Sequence, residues 1–238
     1  MSGLIGLGGT VFLLLLVGAS IGMFDRTRFA PRWLLAAALL VAVNDALLTR
    51  FYGVVPDLLP DSSWNWQGKL LALAATLALA ALPAFGWRRV GLTFTQAPGS
   101  LRAALPVLAI YCGFFLAIAV AFPNDAATAE DVAFQLTLPG LEEETFYRGL
   151  LLFALGRAFT GRVRFLGVDW GWGAVLSCLL FGMAHALGFA GGQFSFDVLS
   201  MALTALPAFI AVWLVLRTGS VLLPIVMHNF GNAISLLL

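Results

Sequence analysis

LIGLGGTVFLLLLVGASIGM, residues 4–23, contains no charged side chain and is long enough to cross a bilayer as a helix. A hydrocarbon core about 30 Å thick takes roughly 20 apolar residues per helical span. Seven further runs of this kind follow, near 33–49, 69–86, 103–122, 140–158, 171–189, 197–216 and 220–237, each bounded by charges or turn residues. Composition agrees. Of 238 residues, 61% are hydrophobic and 11% charged, whereas a soluble domain has roughly 45–50% apolar and about 25% charged residues. The runs are Leu, Ala and Val throughout, without the alternation of a membrane β-barrel, so helices must satisfy the backbone in lipid. The predicted fold is all-α, a polytopic helical bundle of about eight transmembrane helices. Met1-Ser2-Gly3 supplies no basic region ahead of the first run, which is expected to be a retained span and not a cleaved signal.

Basic residues set the expected orientation, because Lys and Arg in short loops stay on the cytoplasmic side. Arg26, Arg28 and Arg32 follow the first run, Arg88, Arg89 and Arg102 the third, Arg157, Arg162 and Arg164 the fifth, and Arg217 the seventh; the opposite loops hold only Arg50 and Lys69. Both termini are therefore predicted on the extracytoplasmic side of a multi-pass protein of the cytoplasmic membrane. The two longer extracytoplasmic loops differ in content. Residues 50–68 carry Trp64 and Trp66, read as an interfacial aromatic belt, and 123–138 carry Asp125, Glu130 and Asp131 without a base. A net charge of +1 with no basic tail or stripe excludes nucleic acid as a partner. Cys112 and Cys178 sit singly in apolar runs and are expected to be packing residues. With no repeat or linker, residues 1–238 form one membrane domain; residues 1–125 carry no recognised motif, and 139–237 carry the polar residues that matter.

Ionisable groups inside membrane spans are costly, so each is a functional candidate. Residues 141–149 read Leu-Glu-Glu-Glu-Thr-Phe-Tyr-Arg-Gly. The glutamates alone would suit an acidic first helical turn at the membrane surface. Arg148 argues otherwise: it follows Glu144 at i,i+4 spacing, where an ion pair would hold the carboxylates inside. The only histidines are His185 and His228, and Asn232 shares a helix face with His228. Glu143 lies about three residues inside the fifth run, His185 about four from the end of the sixth and Asn232 about five from the end of the eighth. At about 1.5 Å rise per residue, antiparallel packing brings them to one level and to one pocket. Asn44 and Asp45, in the second run, are expected to be a buried structural pair or to line that cavity.

Glu143-Glu144 with Arg148-Gly149, Phe181 with His185, and His228 with Asn232 resemble the three motifs of the CPBP family of CAAX prenyl endopeptidases and bacteriocin-processing enzymes, also called Abi. Ser177 ahead of Phe181-Gly182, and Gly219-Ser220 with Pro224 ahead of His228, agree with it. Tyr147 stands where the family often has Phe, and Glu142 adds a third acid. The resemblance covers about residues 139–232. It implies an intramembrane endopeptidase acting on a membrane-associated peptide or protein: Glu143 and His185 activate a water, His228 and Asn232 stabilise the oxyanion, and Glu144 and Arg148 orient Glu143. No cofactor is expected on this reading. An alternative fills the pocket with zinc held by His185, His228 and Glu143, although no His-Glu-x-x-His helix is present. A further alternative is a non-catalytic scaffold or immunity protein of the same fold.

Overall fold

A computed structural model describes residues 2–124 and 126–238; Met1, part of the retained-span expectation, and Asp125, part of the acidic-loop reading, lie outside the described residues. Helix α1 (Ser2–Phe24) is followed by α2 (Pro31–Leu48), which a proline at its first turn starts. Asn65 opens α3 (Trp66–Ala81) by accepting from the Gly68 amide, and Pro83 follows its end. Then come α4 (Leu101–Ala121), a short α5 (Ala129–Gln135) and α6. Helix α6 runs as α-helix over Leu138–Glu143, as π-helix over Glu144–Leu151 and again as α-helix over Leu152–Ala158. Helices α7 (Trp172–Ala186), α8 (Val198–Thr218) and α9 (Leu222–Ala233) complete the bundle. Gly219, at φ 74° in the left-handed region, ends α8 and turns the chain into α9.

Four of these helices, α1, α2, α4 and α8, are long and apolar enough to cross a membrane, and α3, α7 and α9 are shorter apolar helices. Each of the eight runs read from sequence coincides with a helix, but α3, α7 and α9 end three to five residues earlier than the runs that announced them. The chain is mostly helical, though not purely so. Two antiparallel hairpins pair β1 (Val163–Phe165) with β2 (Val168–Trp170) and β3 (Leu187–Ala190) with β4 (Gln193–Phe196). Their two-residue turns, Leu166-Gly167 and Gly191-Gly192, have positive φ at both positions. That matches strand twist and is a tight-hairpin signature. The second hairpin stops α7 at Ala186.

Helix α6 is the axis of packing. Leu150, Leu151 and Leu155 are fully buried against Leu34, Ala37 and Val41 of α2 and Leu176 and Leu180 of α7. Leu152 packs with Cys178 and with Ala208 and Val212 of α8. Small residues permit these approaches, as membrane helices held by van der Waals packing require: a Cβ on Gly173 of α7 would lie 2.5 Å from the Leu155 backbone carbon. Outward faces are apolar instead of charged. Phe12, Leu39, Ile110, Phe114, Leu203 and Leu206 are all exposed, an apolar girdle suited to lipid and excessive for water.

Trp64 and Trp66 are not free at an interface. Trp64 donates to Asp131 (2.7 Å) and stacks on Phe134 at 4.9 Å between centroids, and Trp66 donates to Glu130 (3.0 Å). The acidic segment and the tryptophan loop satisfy one another, and a capping box between Thr128 and Asp131 closes the first turn of α5.

Candidate active site

At the α5 end of the bundle a cavity of about 270 Å³ is lined by Glu143, Glu144, Arg148, His185, His228 and Asn232. Every site residue read from the sequence is therefore brought to one place. The glutamates are not a solvated helical turn: Glu142 and Glu144 are buried and the Glu143 side chain is 15% exposed. Their enclosure follows from Pro139-Gly140. Gly140 lies so close to α9 that its amide donates to buried Asn229 (2.7 Å), whose own amide donates to the Thr137 carbonyl (3.1 Å). One asparagine thus clamps the start of α6 against the helix that carries His228 and Asn232.

The expected Glu144–Arg148 pair forms, at 3.1 Å between Oε2 and Nε. It is a charge contact without hydrogen-bond alignment, and Arg148 Nη1 has no hydrogen-bond partner among the described residues. The guanidinium instead covers the Phe181 ring at 4.0 Å, a cation–π contact that strengthens when desolvated. Glu144 Oε1 holds His228 Nδ1 at 2.8 Å, so the other ring nitrogen of His228 is presented to the cavity. That nitrogen lies 3.7 Å from Glu143 Oε2, too far for a hydrogen bond. Glu143 Oε2 is buried without a partner among the described residues. His185 Nδ1 is 2.9 Å from the Phe181 carbonyl; a carbonyl only accepts, so Nδ1 carries the proton and Nε2 keeps its lone pair. Asn232 gives one amide hydrogen to Gln135 (3.0 Å) and retains a second donor. The π-helical stretch spans Glu144 to Leu151, the segment bearing Glu144 and Arg148; π-bulges recur at functional sites because they re-aim side chains.

Residues 126–234 match a family described as type II CAAX prenyl endopeptidase Rce1-like. This segment is similar to that family. The match takes in all the cavity-lining candidates and begins just ahead of α5. No match to the chain was found among curated proteins or among solved structures. The matched segment is nonetheless incomplete as a polar site, because helices before it supply two partners. Lys69 of α3 bonds Glu142 at 2.8 Å and also contacts the Glu143 carboxylate. Asn44 of α2 donates to Glu142 (3.2 Å). The sequence reading placed Lys69 in a loop as an orientation marker; it is buried among carboxylates, with 13% of its side chain exposed. Its signal was available: it is the chain's only lysine and stands at the head of an apolar run. Asn44 is buried, Asp45 accepts from the Tyr52 hydroxyl, and both line a cavity separate from the catalytic one. Among the described residues no group of three His, Cys, Asp or Glu side chains is arranged to hold a metal ion.

Proposed function

We propose that this protein is an intramembrane endopeptidase that hydrolyses a peptide bond of a membrane-associated protein or peptide, using Glu143 as the base for a water. The observation that carries the reading is the unpartnered Glu143 Oε2, facing a cavity whose other polar lining is His185, His228 and Asn232. Lys69 holds the opposite oxygen of that carboxylate and so fixes which one points inward. In the proposed step Glu143 takes a proton from water as its oxygen attacks the peptide carbonyl carbon, with the His185 lone pair orienting that water. His228 Nε2–H and the free Asn232 amide hydrogen donate to the oxyanion. Its collapse breaks the C–N bond, and the proton on Glu143 passes to the departing amine. Glu144, holding His228 Nδ1, stabilises an imidazolium there, and Arg148 keeps Glu144 in place. General base catalysis is worth about 10²–10⁴-fold, and one oxyanion donor about 2.7–4 kcal/mol.

The Rce1-like match supports the reaction class, and the apolar girdle supports a bilayer setting. The proposed topology has eight spans with both termini extracytoplasmic, which opens the cavity toward the extracytoplasmic face. Leader peptides, membrane-protein tails or exported small proteins suit that side, whereas a prenylated CAAX tail requires cytoplasmic access. The zinc alternative uses His185, His228 and Glu143; the Nδ1 bond to Glu144 leaves His228 Nε2 free to ligate, so chelation and metal content decide between the two readings. Comparing membrane-peptide profiles of cells that carry the wild type or Glu143→Gln tests the proposal. Peptides that shorten only with the wild type, at equal accumulation of the two proteins, support it; identical profiles leave the scaffold reading standing.

A further inference from the structure

A cavity of about 440 Å³ lies at the other end of α6 and is lined by Arg88, Arg89, Arg148, Arg157 and Arg162. Five guanidinium groups meet one lining carboxylate, Asp169, and that acid is paired with Arg164 at 3.0 Å. Three of the five are engaged by the fold, Arg148 through the Glu144 carboxylate at 3.1 Å. Arg162 donates to the carbonyls of Gly161 (2.8 Å) and Gly156 (2.9 Å), and Arg89 donates to the Pro83 carbonyl. The side chains of Arg88 and Arg157 make no hydrogen bond or ion pair among the described residues; Arg157 lies 5.7 Å over the Trp33 ring. Arg148 closes the inner wall. It is 3% exposed, and its Nη1 has no hydrogen-bond partner. Arg88 and Arg157 are exposed and unpaired beside this open cavity; like charges there repel unless an anion enters, and planar guanidinium groups match the oxygens of phosphate in bidentate fashion.

We propose that this arginine-lined cavity binds a phosphate-bearing anion, either the headgroup of an anionic phospholipid or free phosphate. Loop basicity alone explains arginines on a cytoplasmic face; it does not explain a buried guanidinium with an idle donor at the back of a cavity. Basic pockets between membrane helices are a recurrent setting for acidic headgroups. Arg148 lines both cavities, but Arg88 and Arg157, on which the test falls, line only the arginine-rich one.

The test is native mass spectrometry of the purified protein in nanodiscs of phosphatidylcholine with or without phosphatidylglycerol. The wild type is expected to retain phosphatidylglycerol in preference to phosphatidylcholine, and Arg88→Gln/Arg157→Gln to weaken that retention by at least about tenfold. Arg26→Gln/Arg32→Gln, which removes two basic residues outside the cavity, is expected to retain it fully. Should the cavity variant fail to accumulate, Arg88→Gln alone, at an exposed residue, carries the comparison. A second arm measures thermal protection by inorganic phosphate in pure phosphatidylcholine nanodiscs. Protection that disappears in the cavity variant assigns the site to free phosphate; no protection alongside lipid retention assigns it to a headgroup. Equal retention by wild type and cavity variant without phosphate protection, or equal loss in the control variant, overturns the proposal.

Discussion

Lys69→Met should destabilise the protein more than any single change in the catalytic pair. The ammonium bonds Glu142 at 2.8 Å and contacts Glu143, and Glu142 has no exposed surface. Removing it leaves Glu142 with one neutral donor, the Asn44 amide at 3.2 Å, and leaves two adjacent carboxylates without the cation between them, Glu142 fully buried. Truncating one partner of a buried pair costs about 3–5 kcal/mol, because the surviving charge stays desolvated. Methionine keeps the length and apolar bulk of the lysine stem, so packing loss contributes little. Removing the orphaned charge as well should recover much of the loss: Lys69→Met/Glu142→Gln should be more stable than Lys69→Met alone, with a coupling of about 1–3 kcal/mol in the double-mutant cycle. Equilibrium unfolding in mixed detergent micelles measures all three variants. Lys69→Met unfolding with the wild type, or additive losses in the double variant, would refute a buried Lys69–Glu142 pair.

Three other expectations concern the site, the loops and the orientation. Asn232→Ala should lower kcat by about 10²–10³-fold with little change in KM, since its free amide hydrogen is assigned to the oxyanion; a change confined to KM would move Asn232 to substrate binding. Glu130 and Asp131 are both held below their ordinary values of 4.5 and 3.8, Glu130 chiefly by the Ser62 hydroxyl and Asp131 chiefly by the Trp64 indole. A depressed carboxylate stabilises at pH above its unfolded value and loses that contribution as pH falls through its folded value. The tryptophan loop should therefore stay docked at pH 5 and loosen only at more acidic pH, as Trp64 fluorescence would report; undocking near neutrality would contradict the contact. A cysteine at Ala126 should react with an impermeant thiol reagent from outside the cell and one at Val163 should not, and the reverse pattern would turn the catalytic cavity toward the cytoplasm.

How much the sequence disclosed depended on how far apart the partners lie in the chain. Glu144 with Arg148, and His228 with Asn232, are one helical turn apart, so the 3.6-residue period alone placed each pair on a face. Helix existence was legible for the same reason, because runs of Leu and Ala at span length leave lipid few alternatives. Lys69 reaches a glutamate more than seventy positions away, and no periodicity links a residue of α3 to one of α6. Asn229 stayed hidden between His228 and Asn232, and its function depends on the close approach of Gly140. The tryptophans were assigned to a bilayer interface by their type, whereas α5 supplied acids at hydrogen-bonding distance. The hairpin at 187–196 was signalled by Gly191-Gly192, but apolar length at 171–189 outweighed that cue.

The proposed mechanism requires Glu143, with no metal, to be the base. The most direct measurement is the cleavage rate of the purified protein on a peptide identified from the membrane profiles, with wild type after exhaustive chelation and Glu143→Gln assayed side by side. The glutamate mechanism predicts an unchanged wild-type rate and no cleavage by Glu143→Gln at equal folded protein. Near-normal cleavage by Glu143→Gln would contradict it, as would a chelated wild type that falls silent, recovers with zinc and carries stoichiometric metal.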